Sequence, residues 1–171
     1  MNTNLVIATA AAGLLAACSP NPQGAATASA QLSPASGSKV QGRIQFTQAG
    51  PNRVRVSGEV TGHQPGMKGF HIHEKGDCSA PDATSAGGHF NPHAMKHGAS
   101  PTSGHAGDMG NINVGADGRA TIDTTFEGLT LDKNAPNSIL GKAVVVHAGT
   151  DDQKTDPTGN AGGRVACGVI G

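Results

Sequence analysis

Polar and apolar residues alternate in short bursts along this chain, and no window of a dozen or more residues carries an apolar stripe of helical period. Arg43-Ile44-Gln45-Phe46 and Arg53-Val54-Arg55-Val56-Ser57 both follow a period of two. That period sends successive side chains to opposite faces of a strand. Gly50-Pro51-Asn52 lies between them and reads as a hairpin turn. Further strands are expected over 69–74, 109–114, 119–125, 140–147 and 164–170, with Ala116-Asp117-Gly118 as a turn. A first strand near residues 28–32 is only weakly marked. With 26 Gly and 10 Pro as punctuation, seven or eight short strands imply an all-β fold, an antiparallel sandwich or Greek-key barrel. Two segments, 75–108 and 149–163, break the pattern. Loops of that length without structure of their own are usually functional.

The ends of the chain differ from its middle. Residues 5–17 are an apolar run too short to span a bilayer but suited to a signal-peptide core. The preceding 1–4 contain no Lys or Arg, so the amino terminus alone supplies positive charge there. Leu15-Ala16-Ala17-Cys18 resembles a bacterial lipobox, which makes residues 1–17 a lipoprotein signal peptide and Cys18 the lipidated first residue. A plain secretory peptide is the alternative. Ser19 matches the pattern that sends lipoproteins to the outer membrane, so the expected location is the periplasm, with the lipid anchor as the only membrane contact. Residues 18–38, rich in Ser, Pro, Gln, Ala, Gly and Thr, read as a flexible tether. A single domain over 39–171 remains, large enough for one core.

Twelve basic and twelve acidic residues cancel, no basic run occurs, and Trp and Tyr are absent. Both the electrostatic face and the stacking platforms of a nucleic-acid binder are therefore missing. If Cys18 carries lipid, Cys78 and Cys167 remain as a pair in an oxidising compartment, where a disulfide is expected.

Six histidines and one aspartate stand apart from this pattern: His71, His73, His89, His97, His105, Asp108 and His147. Neutral imidazole is the commonest transition-metal ligand. Seven such groups exceed one tetrahedral site and suit two metals. His71 and His73 are two apart on one strand and project together, and His147 lies on another strand. Three imidazoles from two strands can form a near-planar set, which favours Cu(II) over zinc. His89, His97, His105 and Asp108 come from one loop, and three His with one Asp make a closed tetrahedral zinc set. The Ala106-Gly107 turn brings His105 and Asp108 within reach of one ion. His63, before Gln64-Pro65-Gly66, reads as a surface turn residue, and His93 as an exposed bystander.

The segments G-F-H-I-H-E-K-G-D-C, G-G-H-F-N-P, K-H-G, H-A-G-D-M-G-N-I, V-V-V-H-A-G and G-N-A-G-G-R-V-A-C-G-V-I-G resemble the copper/zinc superoxide dismutases, in order and at the family's spacing. The match runs from about Val40 to Gly171. The resemblance implies an eight-stranded, immunoglobulin-like Greek-key barrel holding one copper and one zinc ion per subunit. It implies copper on His71, His73, His89 and His147, and zinc on His89, His97, His105 and Asp108, with His89 bridging. Cys78 and Cys167 match the family's disulfide. Asp151 matches the carboxylate that hydrogen-bonds ligand histidines of both metals, and Thr158 the residue at the channel mouth. Arg164 matches the arginine that steers superoxide to copper, and with His89 as proton carrier it forms the implied catalytic pair.

The loop before Arg164 is short, as in bacterial members. With Phe46, Phe70, Phe90 and Phe126 as the only aromatics, no interface patch marks a homodimer, although the family's pattern allows one. Two rival readings are a periplasmic copper/zinc-binding or chaperone module without turnover, and an adhesion-like sandwich with incidental histidines. The first typically loses copper ligands or the channel arginine, and this chain keeps both.

Overall fold

The computed structural model describes residue 1 and residues 24–171. The expected signal peptide and Cys18 lie outside the described residues. The described residues form eight strands: β1 (Thr27–Pro34), β2 (Gln41–Gly50), β3 (Arg53–Thr61), β4 (Gly66–His73), β5 (Asp108–Val114), β6 (Arg119–Glu127), β7 (Ala143–His147) and β8 (Arg164–Val169). One turn of 3-10 helix, Thr84–Ala86, is the only helical element among the described residues. All strand pairings are antiparallel and form one sheet in the order β5-β4-β7-β8-β1-β2-β3-β6. The neighbours β4 and β7, and β1 and β8, are far apart in sequence, as a Greek-key path requires. The sheet curls into a nearly closed barrel, and the turn after β5 joins its two outermost strands.

The alternation seen in the sequence is what fills this barrel. Ile44 and Phe46 on β2, Val54, Val56 and Val60 on β3, Phe70 and Ile72 on β4, and Val144 and Val146 on β7 are essentially inaccessible and belong to one core. Each large side chain so buried contributes roughly 1.5–3 kcal/mol. β7 departs from the half-exposed pattern because all five of its residues are buried. Its other face, Ala143 and Val145, packs with Ala35, Ala83, Ala86 and Cys167 in a second, smaller cluster. That cluster lies beneath the first long loop and gives it a footing on the barrel.

One boundary differs from expectation. The tether read through residue 38 gives way earlier, because Thr27–Pro34 forms β1, pairing with β2 over residues 27–32 and with β8 at Ser33 and Pro34. Ala28, Ala30 and Leu32 face the core. Two of those three side chains are single methyl groups, so the alternation carries little hydrophobic contrast in the sequence.

Candidate metal centre

Three backbone hydrogen bonds gather the centre at one end of β4. Ile72 N–H donates to Gly107 O at 2.9 Å, Gly107 N–H to Phe90 O at 2.8 Å, and Phe90 N–H to Ile72 O at 2.9 Å. This knot brings the strand of His71 and His73, the loop of His89, and the turn of His105 and Asp108 to one place. A Cβ on Gly107 would lie 2.1 Å from Ile72 O, so only glycine allows the approach. The disulfide Cys78–Cys167 fastens the same loop to β8, with its Cα atoms 5.7 Å apart.

Two buried clusters of ligand-type side chains result. His71, His73, His89 and His147 form the first; His89, His97, His105 and Asp108 form the second; in each, the candidate donor atoms all lie within 4.8 Å of one another. His89 belongs to both. All seven expected ligands are thus brought together, whereas His93 is exposed and stands outside both clusters.

Outer partners decide which nitrogen of each ring is available. Asp151 Oδ2 accepts from His71 Nε2 at 2.8 Å, leaving His71 Nδ1 with no partner. Asp151 Oδ1 accepts from His97 Nε2 at 2.9 Å, leaving His97 Nδ1 likewise. His73 Nδ1 donates to Gly87 O at 2.9 Å and His147 Nδ1 to Gly162 O at 3.2 Å, so their Nε2 atoms, 3.3 Å apart, face each other. His89 Nδ1 lies 2.8 Å from Asp108 Oδ1, and its buried Nε2 has no partner. Buried polar atoms without partners are rare in folded proteins. Here three of them sit on ligand-type rings inside the clusters, and on His71 and His97 they are the nitrogens that the bonds to Asp151 leave free. This is the signature of a site built for metal: outer acceptors fix the tautomer and aim the free lone pair. Asp108 completes the second cluster. Its Oδ1 lies 3.1 Å from His97 Nδ1 and 3.2 Å from His105 Nδ1, while Oδ2 accepts from Gly98 N–H and His105 N–H, both at 2.8 Å.

The electrostatics keep these groups ready to bind. Burial, with the neighbouring imidazoles, lowers His147 to about 3. Burial also lowers His89 to about 4, although Asp108 opposes the shift, and it holds His73 well below its ordinary value. Burial alone would raise Asp108 and Asp151, but hydrogen bonds from His89 and Gly98 N–H to the first, and from His71 and His97 to the second, bring both below the usual carboxylate range. At neutral pH His73, His89 and His147 are therefore neutral and Asp108 and Asp151 ionised, the forms that ligate.

Arg164, at the start of β8, is partly exposed. Its Nη1 donates to Ala83 O and its Nη2 to Gly87 O, both at 2.6 Å. Gly87 O also accepts from His73 Nδ1, so a single carbonyl orients both the guanidinium and a ring of the first cluster. Sequence reasoning did not single out this shared acceptor; the Gly87-Gly88 pair before His89 was its only trace. Thr158 is exposed on the second loop. His63, expected on the surface, is instead buried at 8% exposure, because its ring meets the backbone of β7.

A nearly closed antiparallel β-barrel with two histidine-rich clusters sharing one ring defines a class: barrels with two adjoining sites that could each hold a metal ion. Within that class, residues 40–170 match the model of the copper/zinc superoxide dismutase family, and the chain belongs to that family. It is also similar to the crystal structure of the clock protein EA4, with 43% identity, a TM-score of 0.76, and coverage of 86% of this chain and 94% of that one. The clusters are of a kind that could bind copper and zinc.

Proposed function

We propose that the protein converts two superoxide ions and two protons into dioxygen and hydrogen peroxide, with copper in the first cluster and zinc in the second. The observation that carries this reading is His89: one buried ring serves both clusters, with each nitrogen turned to a different one. Copper would be held by His71 Nδ1 and by the Nε2 atoms of His73, His89 and His147; zinc by the Nδ1 atoms of His89, His97 and His105 and by Asp108 Oδ1. Copper when bound supplies a one-electron couple, accepting an electron from one superoxide and giving it to the next, while zinc supplies none.

The chain's own residues supply the rest. Arg164, held in place by two carbonyls, offers a fixed positive charge to a small anion beside the first cluster. His89 Nε2 would be the proton-carrying atom: its one lone pair can hold copper or a proton but not both, so it would carry a proton only while not holding copper and would hand it to the peroxide formed in the second half of the cycle, water providing the other proton. Nδ1 of the same ring, which together with Asp108 Oδ1 would hold zinc, keeps the ring tied to the second cluster. Export to the periplasm and anchoring to the outer membrane through lipidated Cys18 complete the reading, supported by Leu15-Ala16-Ala17-Cys18 and by a disulfide suited to an oxidising compartment.

A second reading, metal binding without turnover, draws on the likeness to a protein named for clock function rather than for catalysis. A disproportionation assay on protein loaded with both metals separates the two. Activity that a copper chelator abolishes and added copper restores is expected; stoichiometric copper without turnover would favour the second reading. Arg164→Glu should lower the rate steeply, by an amount that added salt does not reproduce in the parent.

A further inference from the structure

His63 belongs to neither cluster, yet it is buried and its ring reaches the chain that carries His147. Its Nε2 lies 3.0 Å from His147 O in a buried contact, and its Nδ1 lies 3.1 Å from Gln64 O in a less buried one. A carbonyl only accepts, and leaving the buried one unpaired costs more, so the proton is assigned to Nε2 and donated to His147 O.

The contact falls where β7 parts from β4 while still paired with β8 through His147 and Arg164. Pairing with β4 ends at Phe70 and Val146, and the register with β8 slips between Val146 and His147. From this point three successive carbonyls accept from other segments: His147 O from His63 Nε2, Ala148 O from Lys68 Nζ at 3.1 Å, and Gly149 O from Gly69 N–H at 2.9 Å. Lys68 reaches across exposed surface on a flexible stem, whereas His63 is buried and planar; the 147–148 peptide is thus held on its carbonyl edge by the imidazole and on its N–H edge by the bond from Ala148 N–H to Gly163 O at 2.8 Å. With the peptide held in this way, the bond from His147 Nδ1 to Gly162 O aims the ring.

We propose that His63 is a positioning residue for the first metal: by holding the backbone carbonyl of His147 it fixes the direction of His147 Nε2 toward the ion. The proposal rests on His147 being a copper ligand, as the preceding reading has it.

The test uses the full chain, loaded with zinc and then with one equivalent of Cu(II). His63→Leu keeps an apolar filling but removes the donor. His63→Gln places an amide N–H near the position of Nε2. The expected result is a changed copper hyperfine pattern in the electron paramagnetic resonance spectrum of His63→Leu, a fall of about tenfold in copper affinity, and unchanged zinc affinity, with His63→Gln restoring the parental spectrum. A lowered melting temperature with the spectrum and copper affinity of the parent would overturn the proposal and leave His63 a packing role. If His63→Leu does not fold, His63→Asn, too short to reach, is compared with His63→Gln; identical spectra from the two would also overturn it. A parent protein without histidine-nitrogen coupling to copper would instead refute the copper assignment itself, which separates the two failures.

Discussion

Replacing Asp151 by Asn tests the logic of the centre most directly, because the change is nearly isosteric and acts only on protons. The carboxylate accepts on both oxygens, from His71 Nε2 at 2.8 Å and from His97 Nε2 at 2.9 Å. It stays in place through its own backbone, since Asp151 N–H donates to Asn111 Oδ1 at 2.8 Å and Asn111 Nδ2 donates to Asp151 O at 2.9 Å. An amide has one acceptor and one donor group. Whichever way it lies, its NH2 faces a ring N–H, and that histidine must move its proton to Nδ1. In both rings Nδ1 is the buried atom without a partner, so the switch blocks the lone pair that would bind metal. Losing an outer partner of this kind costs about 10–100-fold in metal affinity, or about 1.4–2.7 kcal/mol. Competition titrations against chromophoric chelators, one for copper and one for zinc, read the loss. In the metal-free variant, nitrogen-15 spectra should show one of the two rings in the Nδ1–H form. Unchanged affinity for both metals, with both rings still protonated on Nε2, would refute the tautomer argument.

Two further outcomes follow from the same structure. Cys78–Cys167 closes a separation of 89 residues, so Cys167→Ala should lower unfolding stability by about 4–5 kcal/mol on the chain-entropy model, as read by urea denaturation against the oxidised parent. Acid should destabilise the metal-free protein: His89 and His147 titrate near 4 and 3 when folded but near 6.5 when unfolded, so the unfolded chain takes up protons first as pH falls. Stability is then lost from about pH 6.5 downward, by about 2–4 kcal/mol for the pair at pH 5. Bound metal should not remove that slope, because it too keeps the folded-state rings unprotonated while the unfolded chain takes up protons; a metal-free protein equally stable at pH 7 and pH 5 would contradict the reasoning.

The barrel and its ligands were legible in the sequence to different depths. Strands such as Arg53–Thr61 announce themselves because Val54, Val56 and Val60 contrast with charged neighbours. The ligand set was legible because few buried roles call for so many histidines. β1 was obscure because Ala28 and Ala30 differ from their Ser and Gln neighbours by too little to register as a pattern. His63 reads as exposed for another reason. In the polar run Gly62-His63-Gln64-Pro65 nothing suggests burial; the cause is a carbonyl 84 residues away that only folding brings near. The role of the Gly87 carbonyl was hidden likewise, since a backbone oxygen has no residue type to mark it.

The sheet ends on β5 and β6, and the candidate ligand Asp108 is the first residue of β5. An ion bound there would pin one margin of the barrel at its upper corner, while the 115–118 turn sews the two margins together at the lower one. The second cluster's other candidate ligands, His89, His97 and His105, all lie on the loop before β5, so an ion there would lash that loop to the margin, and its loss would slacken the loop while the turn still joins β5 to β6.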